Sequence, residues 1–401
     1  MRALIADAFP ERYLADLKSI GLTVDYDPGA TAADLPEKAK NANILIVRST
    51  KVDAKVIAAA GSLGMILRAG AGYDTIDVAA ASERGIFVSN CPGKNAVAVA
   101  ELAFGLMLAL DRRLVDGTVD LRAGNWNKKE YSKADGLKGR TLGVIGLGSI
   151  GKAVVDRAKA FEMNVLAWSR SLTGWRADEL GVGYCRTAEE VAERSDVVSV
   201  HLAQTKETKG MFGASFFAKM KPRAMFINTS RGGLHDEAAL VAAMKEKGIR
   251  AGLDVFETEP ATPTASGLTN PIFSQPGLAG SHHIGASTEQ SQDAIAEEAV
   301  RICKEYVATG RAPNVVNVEV KAPAKSELIV RHYDRVGVLA QVLGLIRKYE
   351  INVAEMTNTI FQGSKAAVAA IRIGSEPPKA LLDEIAGLTD FVIQVESKRI
   401  Q

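Results

Sequence analysis

The 401-residue chain has only three cysteines, Cys91, Cys185 and Cys303, far apart and in no metal-ligand spacing. That excludes a disulfide framework, leaves no metal site to expect, and fits isolated thiols in a reducing compartment. Charge imbalance is also scarce. The net charge is +2 and no Lys/Arg run tracks a phosphate backbone, so no nucleic-acid or membrane partner is expected. No uninterrupted apolar stretch is long enough to cross a bilayer. The most apolar region, Ala96–Leu110, is broken by Glu101 and reads as a buried helix. The opening Met1–Asp7 reads as a short strand, without the apolar core or cleavage site of a secretory leader, so a cytoplasmic location is expected. The apolar content of 47% and charged content of 24% are ordinary for a globular chain, and the length suits two or three domains.

What the chain does have is glycine in a particular place. The run Thr141–Ile145 is short and apolar and leads straight into Gly146-x-Gly148-x-x-Gly151. Lys152–Phe161 then reads as a helix and Asn164–Trp168 as a strand. A lone GxGxxG is weak, but strand, glycine turn, helix and strand together form a dinucleotide-binding unit. Gly146 suits the tight turn, Gly148 the approach of a pyrophosphate, and Gly151 close helix–strand packing. Ser149 and Ile150 open the helix whose N-terminus faces the phosphates.

Around this unit, strands and helices alternate. Ala3–Ala6, Ile44–Arg48, Met65–Ala69 and Phe87–Ser89 read as buried strands, with helices at Pro10–Ile20, Asp53–Ala60 and Asp77–Glu83. Such alternation predicts an α/β architecture with parallel sheets covered on both faces. A long helix from about Asn95 to Arg113 leads to a polar, mobile-looking segment, Asp116–Gly136. Further strands fall at Asp196–Leu202, Ala224–Thr229, Gly252–Phe256 and Gly277–Gly280, and Thr187-Ala-Glu-Glu190 is a capping box. Thr288–Ala308 reads as an amphipathic helix stopped by Gly310-Arg-Ala-Pro313, and Lys321–Ser326 as a linker. The tail gives strand Glu327–Arg331, helix Val336–Tyr349, strand Ile351–Phe361, strand Ala366–Ile373, helix Lys379–Ala386 and strand Phe391–Val395. This βαββαβ order is ferredoxin-like.

Three segments carry candidate chemistry: Asn228–Gly233 with Arg231, Leu253–Pro260 with Asp254, Glu257 and Glu259, and Ser281–Thr288 with His282 and His283. Each follows a strand of the nucleotide sheet, where ligands of open α/β sheets bind. An arginine, a carboxylate and a histidine meeting there suit hydride transfer to or from a 2-hydroxy acid. The arginine clamps a carboxylate and polarises the adjacent carbonyl, the histidine moves the hydroxyl proton, and the acid fixes the histidine. Singly, each residue has a bland structural reading; after a dinucleotide motif, together, they point to catalysis.

Arg68-Ala-Gly-Ala-Gly-Tyr-Asp74, Asn90-Cys-Pro92, the glycine motif, Ser230–Gly233, Asp254–Pro260 and His283-Ile-Gly-Ala286 stand in the order and spacing of a known family. The chain resembles the D-isomer-specific 2-hydroxyacid dehydrogenases over nearly its whole length. The resemblance implies a flavodoxin-like catalytic lobe over 1–95 with a returning segment 287–318, and a Rossmann lobe over 96–286 that binds NAD(P). It implies Arg231, Glu259 and His283 as the catalytic set, and Asp254, with His283 and Gly285, on the nicotinamide side. The N–H groups near Ala71 and Gly72 would hold the substrate carboxylate. Within the family it is most similar to the branch that interconverts 3-phospho-D-glycerate and 3-phosphohydroxypyruvate, the first step of L-serine biosynthesis. Arg48 and Arg68 match that branch's phosphate contacts, and Lys128 a basic residue from a neighbouring subunit, so a homodimer or homotetramer is expected. Residues 326–401 resemble an ACT regulatory domain, with His332, Asp334 and Asn352 at the effector positions. Serine feedback and a purely structural module are the two readings of that tail.

Some residues depart from the pattern. Ser169 stands where an NAD-preferring chain places an acid on the ribose, and Arg170 follows it. Loss of the carboxylate and gain of a guanidinium lean towards NADP(H). A similar Trp-Ser-Arg run in the family's NADPH-dependent glyoxylate and hydroxypyruvate reductases makes those the rival activity. A nucleotide-sensing binding protein on the same fold is the alternative outside enzymes. His282 replaces the proline usual before the catalytic histidine, and Val200–Gln204 lacks another.

Overall fold

The computed structural model describes residues 1–260, 264–319 and 324–400, in two compact units, Met1–Asn317 and Val318–Gln401. The first unit holds two parallel sheets. Strands β1 (Arg2–Ile5), β2 (Thr23–Tyr26), β3 (Ile44–Val47), β4 (Met65–Arg68) and β5 (Phe87–Asn90) line up in the order β2-β1-β3-β4-β5. This is the flavodoxin-like order. The central β3, Ile-Leu-Ile-Val, is buried at every position, as a strand covered on both faces must be. The helix Glu289–Thr309 returns to this sheet and packs Ile295, Ala296, Ala299 and Ile302 with Leu17, Met65 and Leu67. Gly310 ends it in a left-handed cap (φ 69°), with its N–H on the Tyr306 carbonyl.

The second sheet contains β6 (Thr141–Ile145), β7 (Asn164–Trp168), β8 (Gly183–Tyr184), β9 (Val197–Val200), β10 (Met225–Asn228), β11 (Arg250–Leu253) and β12 (Leu278–Gly280). Its order is β12-β11-β10-β9-β6-β7-β8. The chain reverses direction of travel between β6 and β9, so a crevice opens beyond their carboxyl ends. The helix Ala96–Arg112 lies against this sheet, burying Ala103, Leu106, Met107 and Leu110. Glu101, which interrupts its apolar run, faces solvent and pairs with Arg157 at 3.1 Å. Among the described residues no helix is long and apolar enough to cross a membrane.

The second unit has β13 (Ser326–Tyr333), β14 (Val353–Ile360), β15 (Ala366–Ile373) and β16 (Val392–Arg399), antiparallel in the order β14-β15-β13-β16. Helices Val338–Lys348 and Lys379–Ala386 cover one face over Leu328, Val330, Ile346, Ile371 and Leu381. Strand order and helix placement are those of a ferredoxin-like fold.

Several sequence expectations need correction. The segment Asp116–Gly136 is not loose: Leu114–Arg122 and Lys128–Tyr131 are helical. Arg113 ties them, through Asp116 at 3.2 Å and Glu130 at 2.6 Å, and Tyr131 donates to Asp120 at 2.7 Å. The longer helix turns Leu114, Val119 and Leu121 outward, which hides the usual inward apolar stripe. Edge strands β2 and β8 and the short helix Leu35–Lys38 were missed, being too short or too polar for a clear period. The capping box at Thr187 is half formed. Its hydroxyl accepts the Glu190 N–H at 3.1 Å, but Glu190 reaches back to the Arg186 N–H at 2.8 Å. Ser326, read as linker, is the buried first residue of β13; Lys321–Pro323 lie outside the described residues.

Candidate active site

The nucleotide turn is built by close contacts that exclude side chains. At Gly146 (φ 98°) a Cβ would lie 2.4 Å from the His201 carbonyl oxygen, and at Gly151 it would lie 2.0 Å from that of Gly146. Gly148 differs: a Cβ there would meet nothing within 4 Å. The space in front of it is open, and no side chain caps the helix Ser149–Ala160 that it begins. Unspent N–H groups, a positive dipole end and open room are what a pyrophosphate requires, so these residues fit a dinucleotide. Ile150 lines the adjoining cleft, which has a volume of about 2240 Å³. Ser169 and Arg170 follow β7, the first half-buried and the second exposed, and among the described residues nothing hydrogen-bonds the Arg170 guanidinium.

Across the cleft the loop after β4 carries Arg68 to Asp74. Gly70 (φ 146°) has no room for a Cβ because the Arg68 guanidinium folds over it. Burial, with the nearby charges of Arg231 and Arg48 outweighing Asp74, pushes Arg68 down to about 10. Three guanidinium groups thus gather with Asp74. Asn90 pins the loop by donating to the Ala71 carbonyl at 2.6 Å. Asp7, at the end of β1, accepts the N–H groups of Arg48, Ser49 and Thr50 at 2.7 to 3.1 Å and so shapes the Arg48 turn. The Arg48 side chain reaches the Ser287 hydroxyl at 3.3 Å.

Arg231 sits on a turn knotted by Asn228. The Asn228 amide accepts the Ser230 N–H at 2.9 Å, donates to the Arg231 carbonyl at 2.9 Å and faces His235 Nδ1 at 3.1 Å. An Nδ1 that accepts belongs to a neutral ring, and burial holds the His235 pKa below its ordinary value. Gly232 brings this turn against the Glu259 loop, because a Cβ on it would lie 1.8 Å from the Phe256 carbonyl oxygen. Glu237 steadies the same loop by accepting the Glu257 N–H at 2.5 Å and the Asn270 amide at 2.7 Å.

Glu259 Oε2 meets His283 Nδ1 at 2.7 Å, while Oε1 accepts the Phe256 N–H at 3.1 Å. Burial disfavours the Glu259 charge, but the His283 hydrogen bond and charge outweigh it, and its pKa lies below the ordinary carboxylate value. The geometry therefore pairs His283 with Glu259; Glu257 enters this network through its backbone. His283 has a left-handed backbone (φ 55°), uncommon for a residue with a side chain. Asp254 holds it there. Its carbonyl accepts the His283 N–H at 2.7 Å, and its buried carboxylate accepts Ser281 Oγ, the Ile284 N–H and the Gly285 N–H at 2.7 to 2.8 Å. The resemblance sets Asp254 on the nicotinamide side; its oxygens also hold the histidine loop at the cleft. His282 is exposed and lines the cleft.

Arg48, Arg68, Ala71, Gly72, Asp254, Arg231, Glu259, His283 and Gly285 all line one cleft, and Lys128 does not. Lys128 lies exposed on the helix Lys128–Tyr131. In the second unit the His332 ring is 2% exposed, with Nδ1 at 2.8 Å from the Tyr333 carbonyl and Nε2 at 3.0 Å from Asn358 Oδ1. Asp334 and Asn352 are exposed. Sequence reasoning missed roles for Asp7, Asp74, Asn228 and Glu237. Asp74 and Asn228 stood inside quoted segments; Asp7 and Glu237 lie in stretches with no chemical signal of their own.

Comparison with known proteins bears on this geometry. Residues 104–285 match the family described as D-isomer specific 2-hydroxyacid dehydrogenase, NAD binding domain. The chain is 41% identical over 320 residues to a D-3-phosphoglycerate dehydrogenase of Methanocaldococcus jannaschii, covering 79% of this chain but 60% of that one. It is 38% identical over 297 residues to a glyoxylate reductase of Thermococcus litoralis, covering 71% of this chain and 87% of the relative. The crystal structure of NAD+-bound 3-phosphoglycerate dehydrogenase of Entamoeba histolytica superposes with a TM-score of 0.66 at 29% identity, covering 80% of this chain and 99% of that one.

Proposed function

The chain belongs to the D-isomer-specific 2-hydroxyacid dehydrogenases, and from that premise we propose that it interconverts 3-phospho-D-glycerate and 3-phosphohydroxypyruvate with NAD(P), feeding L-serine synthesis. The observation that carries the reading is the meeting of Arg48, Arg68 and Arg231 with the Asp74 carboxylate in a cleft that also holds the His283–Glu259 pair beside Arg231. Three cations gathered there suit a substrate that bears both a carboxylate and a phosphate dianion.

The bound nicotinamide would supply or accept the hydride. The residues of this chain do the rest. Arg231 and the backbone near Ala71 and Gly72 hold the substrate carboxylate, and Arg231 polarises the adjacent C–O bond. Arg48 and Arg68 take the phosphate. His283 receives the hydroxyl proton at Nε2, because Glu259 occupies Nδ1 and fixes the ring. The Gly146–Gly151 turn, with Ser149 and Ile150, carries the pyrophosphate. Ser169 and Arg170 favour a 2′-phosphate, so NADP(H) is taken as well as NAD(H).

A second reading, reduction of glyoxylate or hydroxypyruvate with NADPH, is favoured by Ser169-Arg170 and by the resemblance to the reductase of Thermococcus litoralis. The boundaries 1–95, 96–286, 287–318 and 326–401 are the division that accompanies the main reading. The outward apolar face of Leu114–Arg122, with Leu114, Val119 and Leu121 all more than half exposed, supports pairing with a second copy. The ferredoxin-like second unit supports an amino-acid-binding regulatory role, with serine as the effector to try. The test is steady-state kinetics on 3-phosphoglycerate, hydroxypyruvate and glyoxylate, each with both cofactors, with and without L-serine. A much higher kcat/KM for the phosphorylated substrate supports the main reading. Reaction of the unphosphorylated acids alone, best with NADPH, replaces it by the second.

A further inference from the structure

The guanidinium of Arg231 already has a partner across the cleft. The Asp74 carboxylate lies along one edge of it, with Nη2 to Oδ1 at 2.9 Å and Nε to Oδ2 at 3.2 Å. Arginine carries five N–H donors. Asp74 accepts one from Nε and one from Nη2, and the Ser230 carbonyl accepts one from Nη1 at 2.8 Å. One N–H is left on each terminal nitrogen. That remaining pair is what a bidentate carboxylate, or the carbonyl and carboxylate of a 2-oxo acid together, would accept.

Asp74 belongs to the loop after β4, and Arg231 to the loop after β10. The contact therefore joins the two lobes that flank the cleft. The Asp74 side chain is 58% exposed and that of Arg231 27%, so the pair adds little to stability, and its effect is on geometry. Gly72 leaves space for this arrangement, its absent Cβ lying 1.8 Å from Arg231 Nη2 and 3.1 Å from Asp74 Oδ1.

We infer that Asp74 is a positioning residue: it grips one edge of the Arg231 fork and so aims the two unspent N–H groups at the reacting carboxylate and carbonyl. The inference rests on the dehydrogenase reading. It concerns how Arg231 is presented, not which acid is bound. Replacing Asp74 by asparagine keeps the shape but sets an amide N–H or a weaker acceptor against the guanidinium. The plane of Arg231 is then released, while the cluster becomes more positive and more attractive to an anion.

The test is a double-variant cycle with D74N, R231K and the pair. It uses whichever of phosphohydroxypyruvate, hydroxypyruvate or glyoxylate the wild type reduces best. D74N should lower kcat on the order of tenfold with KM unchanged or lower, since misaligned contacts weaken the transition state before they weaken binding. Lysine has no fork to align, so in the R231K background the same change should alter kcat by less than about twofold. An equal loss of kcat in both backgrounds overturns the inference, as does a D74N protein with wild-type kinetics. A merely structural Asp74 would instead lower the melting temperature and cofactor affinity along with kcat, which also overturns it. If the wild type reduces none of the three acids, the dehydrogenase reading falls and the inference with it.

Discussion

Gly72→Ala is the substitution whose outcome the structure specifies most closely. A Cβ on Gly72 would stand 1.8 Å from Arg231 Nη2, 3.1 Å from its Cζ and 3.1 Å from Asp74 Oδ1. Ordinary contact begins near 3.4 Å, so the guanidinium must retreat by about 1.6 Å. The backbone does not resist the change, because Gly72 is not among the glycines with positive φ. The moving atoms are the end of a flexible side chain, so the fold has little to lose. A displacement of about 1 Å at a reacting centre lowers the rate on the order of 100-fold, equivalent to about 2.7 kcal/mol of transition-state stabilisation. We therefore expect kcat/KM to fall about 100-fold, measured from the absorbance of the reduced cofactor. Cofactor binding followed by fluorescence should be unchanged, and Tm should move by less than about 2 °C. A variant within about threefold of wild-type kcat/KM would refute the placement of Arg231 over Gly72. A large fall in Tm would show that the loop, not the arginine, had been disturbed.

Three further outcomes are expected. Glu298 accepts Arg301 at 2.7 and 3.1 Å and Asn314 at 2.9 Å, and the Arg301 hydrogen bonds hold its pKa at about 2 against an ordinary 4.5. A lowered folded pKa means stability that is present above about pH 4.5 and lost as pH falls towards about 2. E298Q should remove up to about 3 kcal/mol at neutral pH and flatten the acid limb of a stability profile; an unchanged limb would contradict this. Ser169→Asp with Arg170→Ile should shift the ratio of kcat/KM values from NADP(H) towards NAD(H), and an unchanged ratio would mean that Arg170 does not read the 2′-phosphate. Val119→Asp with Leu121→Asp places two charges on the outward face of Leu114–Arg122 and should give a monomer by light scattering, whereas an intact oligomer would locate the interface elsewhere.

Much of the architecture was legible because its causes are local. The β3 run Ile-Leu-Ile-Val reads as a doubly covered strand from its composition, and Gly146 and Gly151 mark the turn because nothing larger fits. Helix Leu114–Arg122 escapes the sequence reading because its apolar side, Leu114, Val119 and Leu121, is exposed among the described residues, so the pattern that marks a helix on a core is absent. Strands β2 and β8 sit at sheet edges, where few side chains are buried and the period is weak. Sequence spacing put Arg231, Glu259 and His283 beyond the ends of neighbouring strands.

The sequence by itself thus determined the alternation of strands and helices, the nucleotide turn and the residue types available for proton and hydride chemistry. These depend on sterics and periodicity within a few residues. Tertiary structure decided which groups act on one another. It brought the carboxylate of Glu259, the acid the family resemblance already favours over Glu257, to 2.7 Å from His283. It set Asp254 to hold the left-handed backbone of His283, and it joined Asp74 to Arg231 across 157 residues of chain. The last of these pairings follows from how the two sheets face each other, the others from how the loops beyond β11 and β12 lie together, and no local pattern in the sequence encodes those distances.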